Sequence, residues 1–175
     1  MPGRHRGGTA MTQRIQRITP FLWFDCDAGA AARFYVSVFD NARIVDVARY
    51  GKAGAQAAGQ AEGAVMTVSF ELDGQAFLAL NGGPAFPLTP AVSFVVNCRD
   101  QREIDRYWAA LAEGGDERAQ QCGWLRDRFG VSWQVVPVQM PELMAGDPAR
   151  AERVMAQVLR MKKLDLSVLE QAAAG

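Results

Sequence analysis

The chain has 175 residues, 49% hydrophobic and 22% charged, with a formal net charge of zero. That is the size and balance of one ordinary globular domain with its own core, not of a disordered or fibrous chain. No Lys/Arg cluster marks the body of the chain, which argues against a nucleic-acid face. No run approaches the roughly 18 apolar residues of a membrane-spanning helix.

The first 17 residues carry Arg4, Arg6, Arg14 and Arg17 and no acid, which leaves 15 basic and 19 acidic residues beyond them. They read as a flexible basic tail, with Met11 as an alternative start, and they lack the apolar core of a signal peptide. A cytoplasmic location is the expectation. Cys26, Cys98 and Cys122 are odd in number and widely spaced, so they read as buried thiols rather than a disulfide framework.

Order begins at "ITPFLWFDCD", a strand opening at Ile18. Ala31, Phe34, Tyr35 and Val38 then fall at i, i+3, i+4 and i+7, which predicts a helix burying one face, with Asp27 placed as its N-cap. "ARIVDVARY", "AVMTVSFEL" and "QAFLALN" follow as strands, the last two joined by Asp73-Gly74, a tight-hairpin pair. Between the first two, "GKAGAQAAGQAEG" (51–63) has no apolar anchor and reads as a mobile loop or a lid. "GGPAFPL" is a crossover, and at Leu88 "LTPAVSFVVNC" restarts the Thr-Pro-strand pattern. Ile104, Tyr107, Trp108 and Leu111 repeat the helical spacing, capped by Asp100 with Glu103 three residues on. "ERAQQC", "GWLRD" and "VSWQVVPV" complete a second set of strands, the last two joined through Phe129-Gly130. "GDPARAERVMAQVLRM" predicts a helix with Asp147 as N-cap, Pro148 in its first turn, and Ala151, Val154, Met155 and Val158 on one face. "KKLDLSVLEQAA" predicts a second, shorter one.

The fold class is therefore α+β: two tandem βαβββ modules (18–83 and 88–138) forming curved mixed sheets in one domain (18–140). A C-terminal helical extension (141–175) follows the tail (1–17) and this domain.

Strand alternation sorts the side chains. Leu22, Phe24 and Cys26, and in the repeat Val92, Phe94 and Val96, should pack under the helices. Phe21, Trp23 and Asp25, and Ala91, Ser93 and Val95, should look into the cup of the sheets. Glu71 alternates with Thr67 and Ser69 on a solvent or interface face, and Arg126 with Asp127 reads as an exposed hairpin pair. No Ser-His or Cys-His pair is available. The only carboxylates to consider as acid or base are Asp25 and Glu71, and only with raised pKa values.

The repeat, together with "ITPFLWFDCDAGAAARFY", "LALNGG", "TPAVSFVV", "QQCGWLRDRFGVSWQVVP" and "RVMAQVLRMKKLDL", resembles the PhnB-like family, also labelled 3-demethylubiquinone-9 3-methyltransferase-like. That family belongs to the vicinal oxygen chelate superfamily of glyoxalase I, bleomycin-resistance proteins and extradiol dioxygenases. The resemblance implies a homodimer whose cups are completed across a two-fold axis. It also implies a divalent metal held by His, Glu or Gln of the first and last strands of each module. At the matching positions this chain has Pro20/Phe21, Val92/Ser93, Leu78 and Gln134, and its one histidine, His5, lies in the tail. One neutral ligand of about four is too few for a catalytic metal, so no metal and no cofactor is expected. Gly82-Gly83-Pro84 follows a strand but precedes another strand, not the helix that a nucleotide-type cofactor turn would open.

The expected function is metal-independent binding of a small planar or amphipathic molecule. Phe21, Trp23, Leu78, Ser93 and Gln134 would form the site, and the protein would be a homodimer without nucleic-acid or membrane partners. Two alternatives stand beside it. One is an enzyme, a transferase as the family label implies, or an isomerase or lyase using Asp25 or Glu71. The other is a structural dimer module with a vestigial cavity.

Overall fold

A computed structural model describes residues 15–175; most of the basic tail, with His5 and Met11, lies outside the described residues. The first module runs β1 (Phe21–Phe24), α1 (Ala28–Val38), β2 (Arg43–Arg49), α2 (Lys52–Ala58), β3 (Val65–Leu72) and β4 (Gln75–Asn81). The second runs β5 (Phe94–Cys98), α3 (Gln101–Ala112), β6 (Trp124–Arg126) and β7 (Ser132–Pro137). Three helices close the chain: α4 (Met140–Met144), α5 (Pro148–Val158) and α6 (Leu166–Ala174). No helix among the described residues is long and apolar enough to cross a membrane.

Two separate sheets result, ordered β1-β4-β3-β2 and β5-β7-β6. In each, the first strand lies parallel to the last strand of its own module, and the other pairings are antiparallel. The first hairpin turns at Asp73 and Gly74, both with positive φ (46° and 79°), the conformation that an Asp-Gly pair supplies at least cost.

The core sits between the modules. Leu22, Phe24, Val68, Phe70, Phe77 and Ala79 bury the inner face of the first sheet, and Val96, Cys98, Trp133 and Val135 that of the second. Aromatic contacts stitch the two faces together: Phe77 meets Phe94 edge-on at 5.4 Å, and Phe94 lies 5.5 Å from Trp133. Such pairs add roughly 0.5–1.5 kcal/mol beyond their buried area. Ala31 and Tyr35 of α1 and Ile104 and Leu111 of α3 are buried, as their spacing predicts.

The chain departs from the sequence reading at several elements. "ERAQQC" is not a strand. A single 3-10 turn (Glu117–Ala119) starts on the side chain of Asp116, and only an isolated bridge joins Gln121 to Trp124. The amides of Cys122 and Gly123 donate instead to the carbonyls of Met161 and Lys162, so the C-terminal segment takes the donors that a neighbouring strand would have used. The 51–63 segment is not an unstructured loop. It holds α2, with Ala55 buried and Gly59 ending it at φ 65°, and its ends are tied by hydrogen bonds between Tyr50 and both Gly63 and Ala64. Alanine's helix propensity, without an amphipathic stripe, carries this piece. Asp27 occupies the N-cap position of α1, but its side chain makes no cap. The Oδ1 of Asn81, at the end of β4, accepts from the amide of Ala28 instead. Cys26 is exposed because β1 ends at Phe24 and the chain turns. Val92 is 70% exposed because β5 starts two residues later. Met155 lies partly exposed on α5, while Val154 and Val158 carry its buried face. Asp100 and Asp147, by contrast, cap α3 and α5 with their side chains.

Candidate functional site

The open face of the first sheet follows from its register. Phe21 of β1 lies opposite Leu78 of β4, and Leu78 opposite Ser69 of β3; Trp23 lies opposite Leu80, and Leu80 opposite Thr67. The alternate residues, Leu22, Ala79, Val68 and Phe70, are buried, so these side chains stand on the other surface. Its floor is aromatic and aliphatic, its middle row carries hydroxyls, and its far side ends in Glu71. Both oxygens of Glu71 accept from Arg43 on the neighbouring strand, at 2.8 and 3.0 Å.

Trp23 has a built seat. Its indole N–H donates to the carbonyl of Gly83 at 2.9 Å, and its ring meets the edge of Phe86 at 5.0 Å. Gly82 passes directly beneath it: a Cβ there would lie 2.2 Å from Cζ2 of Trp23. The Gly-Gly pair of the crossover therefore serves close approach of an aromatic ring. No helix follows it; the next element is β5.

Beside Trp23 opens a cavity of about 240 Å³ between β1, the crossover and the start of β7. Its walls include Phe21, Trp23, Phe86, Val92, Phe94 and Ser132. Phe21 is 52% exposed at its mouth. A second cavity, about 350 Å³, lies where the β3–β4 turn approaches the edge of β5, with Ser93, Phe77, Phe94, Tyr107 and Trp133 on its walls.

The five side chains singled out for ligand contact thus divide. Phe21, Trp23 and Leu78 share the open face of the first sheet. Gln134 belongs to β7 of the second and Ser93 immediately precedes β5; the Gln134 amide donates to Ser93 Oγ at 2.9 Å. Phe21 and Trp23 line the smaller cavity and Ser93 the larger, while Leu78 and Gln134 line neither. Asp25 is exposed just past the end of β1, and Glu71 is engaged by Arg43; neither lines either cavity.

One carboxylate departs altogether from its expected place. Asp127 is not an exposed partner of Arg126: it is 3% exposed. Its Oδ1 accepts from the amides of Phe129 and Val131, and its Oδ2 from Tyr35 Oη and Trp133 Nε1, all within 3.0 Å. Burial pushes the carboxyl above its usual range, against the pull of these donors, and burial together with Asp127 pushes the Tyr35 hydroxyl well up. Arg126 pairs with Asp116 instead. The signal was present as Asp-x-Phe-Gly-Val: an Asp two and four residues ahead of free amides in a Gly turn forms an Asx-type bend. With all four of its hydrogen bonds directed into the core, Asp127 is a structural hub.

A divalent metal of the superfamily type does not fit these residues. Among the described residues, no group of three or more His, Cys, Asp or Glu converges on one point. The positions in question hold Phe21 and Leu78, which offer no donor atom, and Ser93 and Gln134, two neutral groups bonded to each other and too few for a catalytic site.

Comparison with known proteins places this architecture. The family model described as 3-demethylubiquinone-9 3-methyltransferase matches residues 16–136. The chain belongs to that family. Among solved structures, the PhnB protein of Bacillus cereus is 36% identical, with a TM-score of 0.60, over 70% of this chain and all of that one. Protein PA1353 of Pseudomonas aeruginosa is 23% identical with a TM-score of 0.50, over 69% of this chain and 96% of that one. The fosfomycin resistance protein FosX of Mesorhizobium loti is 15% identical with a TM-score of 0.48, over 70% and 91% respectively. No curated protein matches. The α+β class expected from the sequence and the family it resembles both hold for this chain.

Proposed function

We propose that this member of the family is a metal-independent small-molecule-binding protein that works as a homodimer. The observation that carries the reading is the pair Phe21 and Trp23. They stand on the open face of β1, Trp23 held rigid by Gly82 and Gly83, and both line an apolar cavity with the Ser132 hydroxyl at its wall. A concave, largely apolar site with a few polar groups is what a planar or amphipathic ligand needs. The polar set Ser93–Gln134 lies on the other sheet, and no ladder joins the two sheets within one chain. A second copy that set its β5–β7 face over β1 and β4 would assemble both halves of the ligand set. The donor set supports binding without a metal, since the positions that would hold one are apolar or neutral and too few for a catalytic site.

The test is a thermal-shift screen of quinones, aromatic acids and S-adenosylmethionine against the wild type and Trp23→Ala. A hit lost in Trp23→Ala and retained after EDTA dialysis supports the reading. A hit retained in Trp23→Ala removes the site, and one lost with EDTA removes metal independence. Calorimetric heat with S-adenosylmethionine would favour the transferase that the family description names. Light scattering at twice 19.1 kDa supports the dimer; the monomer mass overturns it.

A further inference from the structure

A third cavity, about 450 Å³, lies far along the chain from the sheet site, between α4, α5 and α6. Gln139, Glu142, Arg150 and Glu170 line it, with the last turn of α6 closing one side. Two of these residues carry fully covered polar atoms, Gln139 Oε1 and Arg150 Nε, with no hydrogen-bond partner among the described residues. The other end of the Gln139 amide is fixed, donating to the carbonyl of Arg99 at 2.9 Å. That bond sets the orientation of the amide and leaves its oxygen as the free acceptor. Arg150, Glu142 and Glu170 form no ion pair among the described residues, whereas Arg153 on the same helix is spent on the carbonyls of Ala172 and Ala173. Covered and unpartnered polar atoms are costly and rare. Here an orphan donor and an orphan acceptor border one cavity, together with uncompensated charges of both signs.

We propose that this three-helix cavity is a binding site for an α-amino acid. The ligand carboxylate would accept from the Arg150 guanidinium, a charge-assisted and geometrically specific pairing. The ammonium would donate to Gln139 Oε1 and to the carboxylate of Glu142 or Glu170. Both orphan atoms would then be partnered, and the charge of each sign answered. The site is separate from the cavity at Trp23 and does not depend on the function proposed there.

Calorimetry of the full chain against the standard L-amino acids tests it, with acetate and methylammonium as the two singly charged halves. Binding of one or more amino acids, absent for both halves, is expected. Arg150→Gln, which keeps much of the side chain's packing, should weaken it about tenfold or more, and so should Gln139→Met, which removes the acceptor offered to the ammonium. Trp23→Ala should leave it unchanged. No heat with any amino acid, equal affinity in Arg150→Gln, or loss in Trp23→Ala would each overturn the proposal. Circular dichroism melts of both cavity variants, matching the wild type, separate a lost site from a lost fold.

Discussion

The hydroxyl of Tyr35, on α1 of the first module, donates to Asp127 Oδ2 in the β6–β7 turn of the second at 2.8 Å. The same oxygen accepts from Trp133 Nε1. One buried carboxylate therefore joins the two modules, and its two backbone acceptances shape the turn that presents β7. Removing it leaves donors with nothing to bond. Asp127→Asn puts an NH₂ against the indole N–H, which cannot reverse, and should cost about 2–3 kcal/mol; Tyr35→Phe, which removes one bond, should cost about 1–2 kcal/mol. Urea titrations check both, and a larger loss in Tyr35→Phe than in Asp127→Asn would contradict the hub.

Two carboxylates give opposite pH dependences. Asp127 is raised in the fold by burial, so the folded state holds its proton more tightly than the unfolded chain. Its contribution is fully present below an unfolded value of about 4 and is lost as pH rises through the folded one. The stability difference between wild type and Asp127→Asn should shrink as pH rises above that range. Asp116 is lowered to about 2, first by hydrogen bonds from Arg118 and then by Arg126. Its contribution is present above about pH 4 and is lost as pH falls toward 2. The difference between wild type and Asp116→Asn should vanish on acidification. Denaturant titrations at several pH values read both slopes.

Gly82→Ala should unseat Trp23. The new methyl would occupy space 2.2 Å from Cζ2, and the indole would lose its bond to Gly83. Overpacking of this kind costs about 1–3 kcal/mol. Ligand response should fall together with stability, as measured by a thermal-shift series; a stable variant with unchanged response would show that Trp23 is dispensable.

Glu71→Gln tests the remaining acid–base candidate. Its partner Arg43 has a side chain that is 66% exposed, and such pairs contribute less than about 1 kcal/mol. A small stability change in urea, with ligand response intact, is expected. Loss of response would return Glu71 to the site.

Much of the fold was legible in the chain because its signals are local. The Thr-Pro-strand repeat, the helix spacings at Ala31 and Ile104, the Asp73-Gly74 hairpin, and the caps at Asp100 and Asp147 each depend on neighbours a few residues away. The alternation that put Phe21, Trp23 and Leu78 on one surface is of the same kind. The lack of histidines and carboxylates at the matching metal positions could likewise be read directly from the sequence.

What only tertiary structure decided depends on groups distant in sequence. Asp127 reads as a surface charge until Tyr35, 92 residues away, is brought over it. The cap of α1 comes from Asn81, 53 residues on, and not from the adjacent Asp27. "ERAQQC" loses its strand because the C-terminal carbonyls of Met161 and Lys162 claim the amides of Cys122 and Gly123 at its end. Gly82 and Gly83 read as part of a crossover in one dimension, and in three they are the space and the acceptor that Trp23 requires. A buried polar group takes whatever partner the packed chain delivers, and that partner is not written in its own neighbourhood.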